Sequence, residues 1–148
     1  MALSEKDFDA LISELQEKSF NEAKNAFGEK GFERWRNPRF NGPIKDADGF
    51  GQITGSCGDT MEIYLKFKEG RVEEASYVTT GCGSSALCGS FAAELAIGKN
   101  PDELRKIEPE DILKTIGTFP EKDAHCAYLA IETLVKALEN YESLSKET

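Results

Sequence analysis

The chain has 148 residues, with 18 basic and 27 acidic side chains and a formal charge of −9 at neutral pH. This length suffices for one domain with its own hydrophobic core and needs no disulfide staples. The content of 39% hydrophobic and 30% charged residues is typical of soluble globular proteins. The acidic balance disfavours nucleic acid and anionic membranes as partners. Because there is no apolar signal segment and no run long enough to cross a bilayer, we expect a cytoplasmic location with reduced thiols.

The N-terminal part of the chain is predicted to be helical. Ser4 can cap a first helix, whose apolar positions fall on one face. A second helical stretch covers about 20–35 and ends before Pro38, since the residue preceding a proline avoids helical geometry. We assign residues 1–26 to an N-terminal helical extension and 27–148 to the main domain. The extension's apolar stripe is expected to pack on its own domain, with a partner or second subunit as alternatives. The stripe consists of Phe8, Leu11, Ile12 and Leu15.

A small sheet is predicted to follow the loop at 41–51. Apolar and polar residues alternate strictly over 61–68, which indicates a half-buried strand. A turn around Gly70 predicts a hairpin into a second strand over 71–80, where poorer alternation suggests a bulge. Residues 52–56 are a candidate third strand.

The remainder of the chain is predicted to be helical. Helices are expected over 84–97, from Pro101, over 108–116, and from about 123 to about 143. Because strands cluster first and helices follow, the predicted class is α+β. The predicted architecture is a small three-stranded antiparallel sheet packed against helices, with an extra N-terminal helix.

Three of the four cysteines are predicted to lie at the ends of elements. Cys57 falls in a turn between strands, Cys82 where a strand gives way to a helix, and Cys126 in the first turn of the last helix. Such positions leave sulfur reachable, and a helix N-terminus favours the thiolate that soft metals and iron–sulfur clusters require. The separations of 25 and 44 residues match no zinc finger, since the chain has no CxxC pair. The spacing alone therefore predicts a convergent thiolate site, with ordinary buried cysteines as the alternative.

The residues around these cysteines resemble a known family. Residues 57–61, 81–84 and 125–130 are similar to the three ligand blocks of the IscU/NifU-type iron–sulfur cluster assembly scaffolds. Residues 29–30, 37–39 and 94–99 resemble further segments of that family. The likeness covers about 27–141, which is nearly the whole chain beyond the first helix.

The resemblance implies both a function and a site. It implies that Cys57, Cys82 and Cys126 are cluster ligands, that Asp59 keeps the cluster labile enough to be transferred, and that His125 is an alternative ligand. It implies a transient 2Fe–2S cluster, or zinc in the cluster-free form, on a protein that is not an enzyme. The implied partners are a cysteine desulfurase and apo iron–sulfur acceptor proteins; a homodimer is left open.

Two positions depart from the family pattern. Cys88 stands where a small polar residue is usual; a core-filling role is preferred over an extra ligand or a sulfur-relay thiol. Asp123 replaces the usual lysine in the segment before the third cysteine, which argues against a dedicated Hsp70-type chaperone partner.

Two other functions use the same residues. In a cysteine-dependent enzyme His125 would activate a thiol, and it is expected to reach Cys57 or Cys82 more easily than Cys126, because adjacent residues on a helix do not face one another. In a zinc-binding thiol protein, Asp59 and the three cysteines would form a tetrahedral set. A sulfur-transfer acceptor is a further alternative.

Overall fold

A computed structural model describes residues 4–146 of the protein. Helices pack against one face of a single sheet, which is the predicted α+β architecture. The elements are α1 (Glu5–Arg36), β1 (Gly49–Thr54), β2 (Thr60–Lys68), β3 (Arg71–Thr79), α2 (Gly83–Ala96), α3 (Pro101–Arg105), α4 (Pro109–Ile116), a 3-10 turn (Glu121–Asp123) and α5 (His125–Lys146). In this described part of the chain, no helix has the length and apolar character needed to cross a membrane.

Helix α1 consists of two helical stretches joined at a glycine. The Ser4 hydroxyl accepts a hydrogen bond from the Asp7 amide, as predicted for the cap. The break is at Gly28, with φ 72° and ψ −176°, and not between Leu15 and Phe20 as the apolar pattern predicted. A left-handed φ favours glycine, whereas residues 16–19 offer no such breaker. The chain folds back there, so the ring of Phe20 lies 6.0 Å from that of Trp35.

The apolar stripe of the N-terminal extension does not pack on its own domain. Its side chains remain 40–54% exposed, so the preferred interpretation from the sequence is wrong. α1 first becomes buried at Ala23 and Phe27, where it packs on α2 and α4. Before Phe20 the helix extends past the rest of the domain, and no element of the described chain covers the stripe. The exposed residues are Phe8, Leu11, Ile12 and Leu15.

The sheet has the order β1-β2-β3, and all its pairs are antiparallel. A register shift opposite Lys66 and Phe67 leaves Glu73 as an extra residue in β3, which confirms the predicted bulge. β1 begins at Gly49, three residues earlier than predicted. The glycines that indicated a loop instead allow α5 to approach the strand, since a Cβ at Gly51 would lie 2.4 Å from the Thr133 carbonyl oxygen.

The core lies between one face of the sheet and the helices α2 and α5. Met61, Ile63 and Leu65 alternate along β2 and are fully buried, which confirms the half-buried strand. Phe91 of α2 and Leu134 of α5 pack into the same core. This packing fixes the N-terminal ends of α2 and α5 beside the β1–β2 turn.

Candidate functional site

The structure brings the β1–β2 turn, the start of α2 and the start of α5 to one end of the core. Cys57 lies in the turn, Cys82 is the N-cap residue of α2, and Cys126 is the second residue of α5. Each cysteine therefore lies at an element end, as the sequence predicted. All three thiols are free; Cys57 and Cys82 are exposed, whereas Cys126 is buried. The side chain of Cys82 makes no capping hydrogen bond, so its sulfur is free to bind a ligand.

A continuous series of polar contacts joins Cys57 to Cys126. The Cys57 thiol donates to Asp59 Oδ2 over 3.6 Å, and the Ser85 hydroxyl donates to the same oxygen over 3.5 Å. The Ser85 oxygen is also 3.4 Å from Cys126 Sγ. Ser85 therefore links the proposed carboxylate ligand to the third cysteine.

Gly81 allows this arrangement to form. A Cβ at Gly81 would lie 2.5 Å from Ser85 Oγ and 2.8 Å from Asp59 Oδ2. Any larger residue would displace one of these side chains, since real Cβ contacts are not that short. The segment that presents Cys82 therefore lies directly against Asp59 and Ser85.

Acidic groups, both carboxyls and thiols, lie close together at this end of the core. Burial raises the pKa of the Cys126 thiol, the Ser85 hydrogen bond lowers it, and the charges of Cys82, Asp123 and Cys57 raise it further. A cation placed among these groups would reverse that repulsion. In residues 4–146, however, no three His, Cys, Asp or Glu side chains stand in a finished metal-binding arrangement. The exposed sulfurs of Cys57 and Cys82 would have to turn inward to complete one.

The role of Ser85 can be tested through the pKa of Cys126. Since its hydrogen bond stabilises the thiolate, Ser85→Ala should raise the pKa of Cys126, and alkylation of Cys126 should require a higher pH than in the wild type. The rate would be followed on the Cys126 peptide by mass spectrometry. Ser85→Thr, which keeps the hydroxyl, should retain the wild-type profile. An unchanged profile in Ser85→Ala would contradict this role.

His125 is close to both buried and exposed cysteines. Its Nε2 lies 3.7 Å from Cys126 Sγ, so the expectation that neighbours on a helix stay apart is wrong here. His125 is the first residue of α5, where its ring can fold back along the helix end. It also lines a cleft of about 140 Å³ together with Cys57 and Tyr128. The imidazole of His125 therefore lies close to Cys126 and also lines the cleft that contains Cys57.

The family of the chain follows from comparison with known proteins. The model of the NifU-like N terminal domain matches residues 26–148. The chain belongs to this family. All three cysteine segments, Asp59 and His125 fall within the match, so the resemblance predicted from those segments is confirmed.

Relatives and solved structures agree with that assignment. The chain is 37% identical over 116 residues to the iron-sulfur cluster assembly scaffold protein IscU 1 of Archaeoglobus fulgidus, covering 78% of this chain and 76% of that one. It is 34% identical over 123 residues to Escherichia coli IscU, of the same description, covering 80% of this chain and 95% of that one. The crystal structure of a nitrogen-fixing NifU-like protein (N-terminal) from Brucella abortus has a TM-score of 0.63 at 21% identity. It covers 81% of this chain and 96% of that chain, and it supports the fold.

Cys88 lies apart from the other three cysteines. It is fully buried on α2, and burial strongly raises the pKa of its thiol. A thiol held neutral inside the core is a poor nucleophile and a poor ligand. This environment favours the core-filling role over that of an extra ligand.

Two polar contacts of the candidate site are not predicted by the sequence patterns. Ser85 lies three residues after Cys82 in the first turn of α2, and no cysteine motif includes it. Asp123 differs from the lysine that is usual at this position, and its Oδ2 accepts a 2.8 Å hydrogen bond from Ser84. The signal was the Ser84-Ser85 pair directly after Cys82-Gly83, since hydroxyls in a first helical turn often bind nearby polar groups.

Proposed function

We propose that this protein is a scaffold on which an iron–sulfur cluster is assembled and from which it passes to acceptor proteins. The observation that carries the proposal is the convergence of Cys57, Cys82 and Cys126 with Asp59 at one end of the core. The relatives named as iron–sulfur cluster assembly scaffolds support it. The protein would bind and release the cluster as cargo and would not turn over a substrate, so we do not class it as an enzyme.

The donor set suits a 2Fe–2S cluster held for a limited time. Clusters of this type are commonly held by four ligands, usually thiolates, and three cysteines supply three. Asp59 is the candidate for the fourth position, with His125 as the alternative. An oxygen or imidazole donor holds iron less firmly than sulfur does, so the fourth position would open first. In the cluster-free protein the same set suits zinc.

Asp59 therefore sets the expected lifetime of the bound cluster. Asp59→Ala should retain its cluster longer than the wild type once an apo-acceptor is added, because His125 can then take the fourth position and an imidazole suits iron better than a carboxylate does. The loss would be followed by visible circular dichroism. Asp102→Ala, which changes an almost fully exposed carboxylate elsewhere, is the matched control. Faster release of the cluster from Asp59→Ala would contradict the proposal that Asp59 shortens the lifetime of the bound cluster.

The scaffold role also implies partners and a compartment. We infer that sulfur comes from a cysteine desulfurase and that acceptors are apo iron–sulfur proteins, in the cytoplasm. A dedicated Hsp70-type chaperone is not part of this proposal, because Asp123 stands where the family has a recognition lysine.

We propose residues 1–26 as an extension and 27–148 as the scaffold domain. The family match from residue 26 and the exposure of the helix before Ala23 support this boundary.

Anaerobic reconstitution tests the proposal. Ferrous iron, cysteine, a thiol reductant and a cysteine desulfurase are added to the cluster-free protein, and the visible charge-transfer bands are recorded. We expect these bands to depend on the desulfurase and on the protein together. If no bands develop while zinc still binds tightly, the protein is a zinc-binding thiol protein and the scaffold proposal is wrong.

A further inference from the structure

A groove of about 590 Å³ lies away from the cysteines, between the end of α2 and the helices α3 and α4. Leu95 and the almost fully buried Ile107 supply apolar walls. Three lysines line it, in a protein whose overall charge is −9. We call this feature the lysine groove; its lysines are Lys99, Lys106 and Lys114.

The two carboxylates in the groove are engaged in other bonds. Glu103 accepts hydrogen bonds from Arg71 over 2.8 Å and from the Asn100 amide over 3.2 Å. Asp111 accepts one from the Glu108 amide over 2.8 Å. By contrast, the groove lysines have no carboxylate within ion-pair distance among residues 4–146. The groove thus combines apolar walls with three lysines that form no ion pair of their own in the described part of the chain.

The exposed stripe of α1 has the complementary character. Its four large apolar side chains lie together on one helix face and are 40–54% exposed, as surfaces that bind another protein are. At 100° per residue, the charged residues of segment 5–15 that flank the stripe are all acidic, and Lys6 falls on the opposite face. Lys18, one turn after Leu15, also flanks the stripe but lies beyond this segment. We call residues 5–15 the arm. Its flanking residues are Glu5, Asp7, Asp9 and Glu14.

We propose that the arm of one molecule docks into the lysine groove of a second copy, and that the exchange is reciprocal. The stripe would cover Leu95 and Ile107, while the flanking carboxylates would meet the lysines. Within a single molecule the arm leaves its stripe exposed and covers no such surface. Reciprocal exchange gives a closed two-fold dimer and doubles the buried area, which matters because specific dimers bury about 1,200 Å² or more in total.

Sedimentation equilibrium of the full-length chain tests this proposal. The cluster-free protein is used with a chelator and a reductant, so that neither metal nor disulfide bridges the copies and the result is independent of the scaffold function. We expect a dimer that weakens as salt is raised. Leu11→Asp in the arm, and Lys106→Glu with Lys114→Glu in the groove, should each raise the dimer Kd about tenfold or more. All three positions are exposed, and thermal unfolding would verify that the variants fold.

A charge exchange distinguishes this contact from other modes of association. Adding Asp7→Lys and Glu14→Lys to the two lysine reversals should restore dimerisation, because the complementary charges are then regained with opposite signs. A wild-type chain that stays monomeric at every concentration would overturn the proposal. That is the result expected if the groove binds a small anion and not a second copy of the chain. A dimer insensitive to the lysine reversals would also overturn it, since the arms would then pair with each other.

Discussion

Replacing any one of Cys57, Cys82 and Cys126 by serine should reduce the amount of cluster that can be reconstituted by at least about tenfold. Serine preserves size and hydrogen bonding, but its hydroxyl is not ionised at neutral pH and offers iron no thiolate. Each of the three cysteines comes from a different element, so no neighbouring sulfur can replace the one that is lost. Cluster content would be measured as iron and acid-labile sulfide per protein, alongside the visible absorption.

Cys88→Ala is the matched control for these variants. It removes a sulfur from the same chain, but from a fully buried position in the core. We expect it to retain its cluster and to lose only a modest amount of stability, because a small cavity forms. If all three serine variants held the cluster as well as the wild type, the site assignment would be wrong. If Cys88→Ala alone lost it, the ligand set would have to include Cys88.

The second large effect is expected on stability, at the contact between β1 and α5. Gly51→Val should lower the free energy of unfolding by about 3 kcal/mol or more, because α5 would have to move away from the strand. The first added carbon would lie 2.4 Å from the Thr133 carbonyl oxygen and 2.6 Å from the Ala137 nitrogen, both of which are backbone atoms. Urea denaturation would measure the loss.

Gln52→Val is the control for this effect. Gln52 is the next residue in β1 and is exposed, and strands favour β-branched side chains. Its stability should stay within about 0.5 kcal/mol of the wild type. Wild-type stability in Gly51→Val would contradict the close approach of α5. Because α5 begins with His125 and Cys126, this packing also determines where the third cysteine lies.

Local patterns were sufficient to predict most of the fold. Strict alternation over β2 predicted a half-buried strand, and the broken alternation of β3 predicted its bulge. β1 was placed too late because Gly49 and Gly51 resemble loop residues by composition. Their role is to let the backbone of α5 approach β1, and that contact joins parts of the chain about 85 residues apart.

The sequence was sufficient to predict the cysteines of the candidate site but not the hydrogen bonds that link them. Cys57, Cys82 and Cys126 stand beside glycines or at helix starts, and those signals are local. Ser85 joins Asp59 to Cys126 only after three elements have been brought together.

The exposed stripe of α1 shows a different limit of the sequence. Helical periodicity identifies an apolar face but does not say which surface covers it. The apolar face that includes Phe8 and Leu15 has the sequence pattern of a core-facing helix, yet both residues are more than half exposed. Only the position of α1 beyond the rest of the domain distinguishes the two cases.

Transfer of the cluster to an acceptor tests the central claim most directly. The reconstituted protein is mixed with an apo-ferredoxin of the 2Fe–2S type in the presence of an iron chelator, and the circular dichroism of the ferredoxin is followed. The scaffold account predicts that the holo-ferredoxin signal appears faster and more completely than from equal amounts of free iron and sulfide. A cluster that stays on the protein, or that reaches the ferredoxin no faster than the free ions do, would contradict the account.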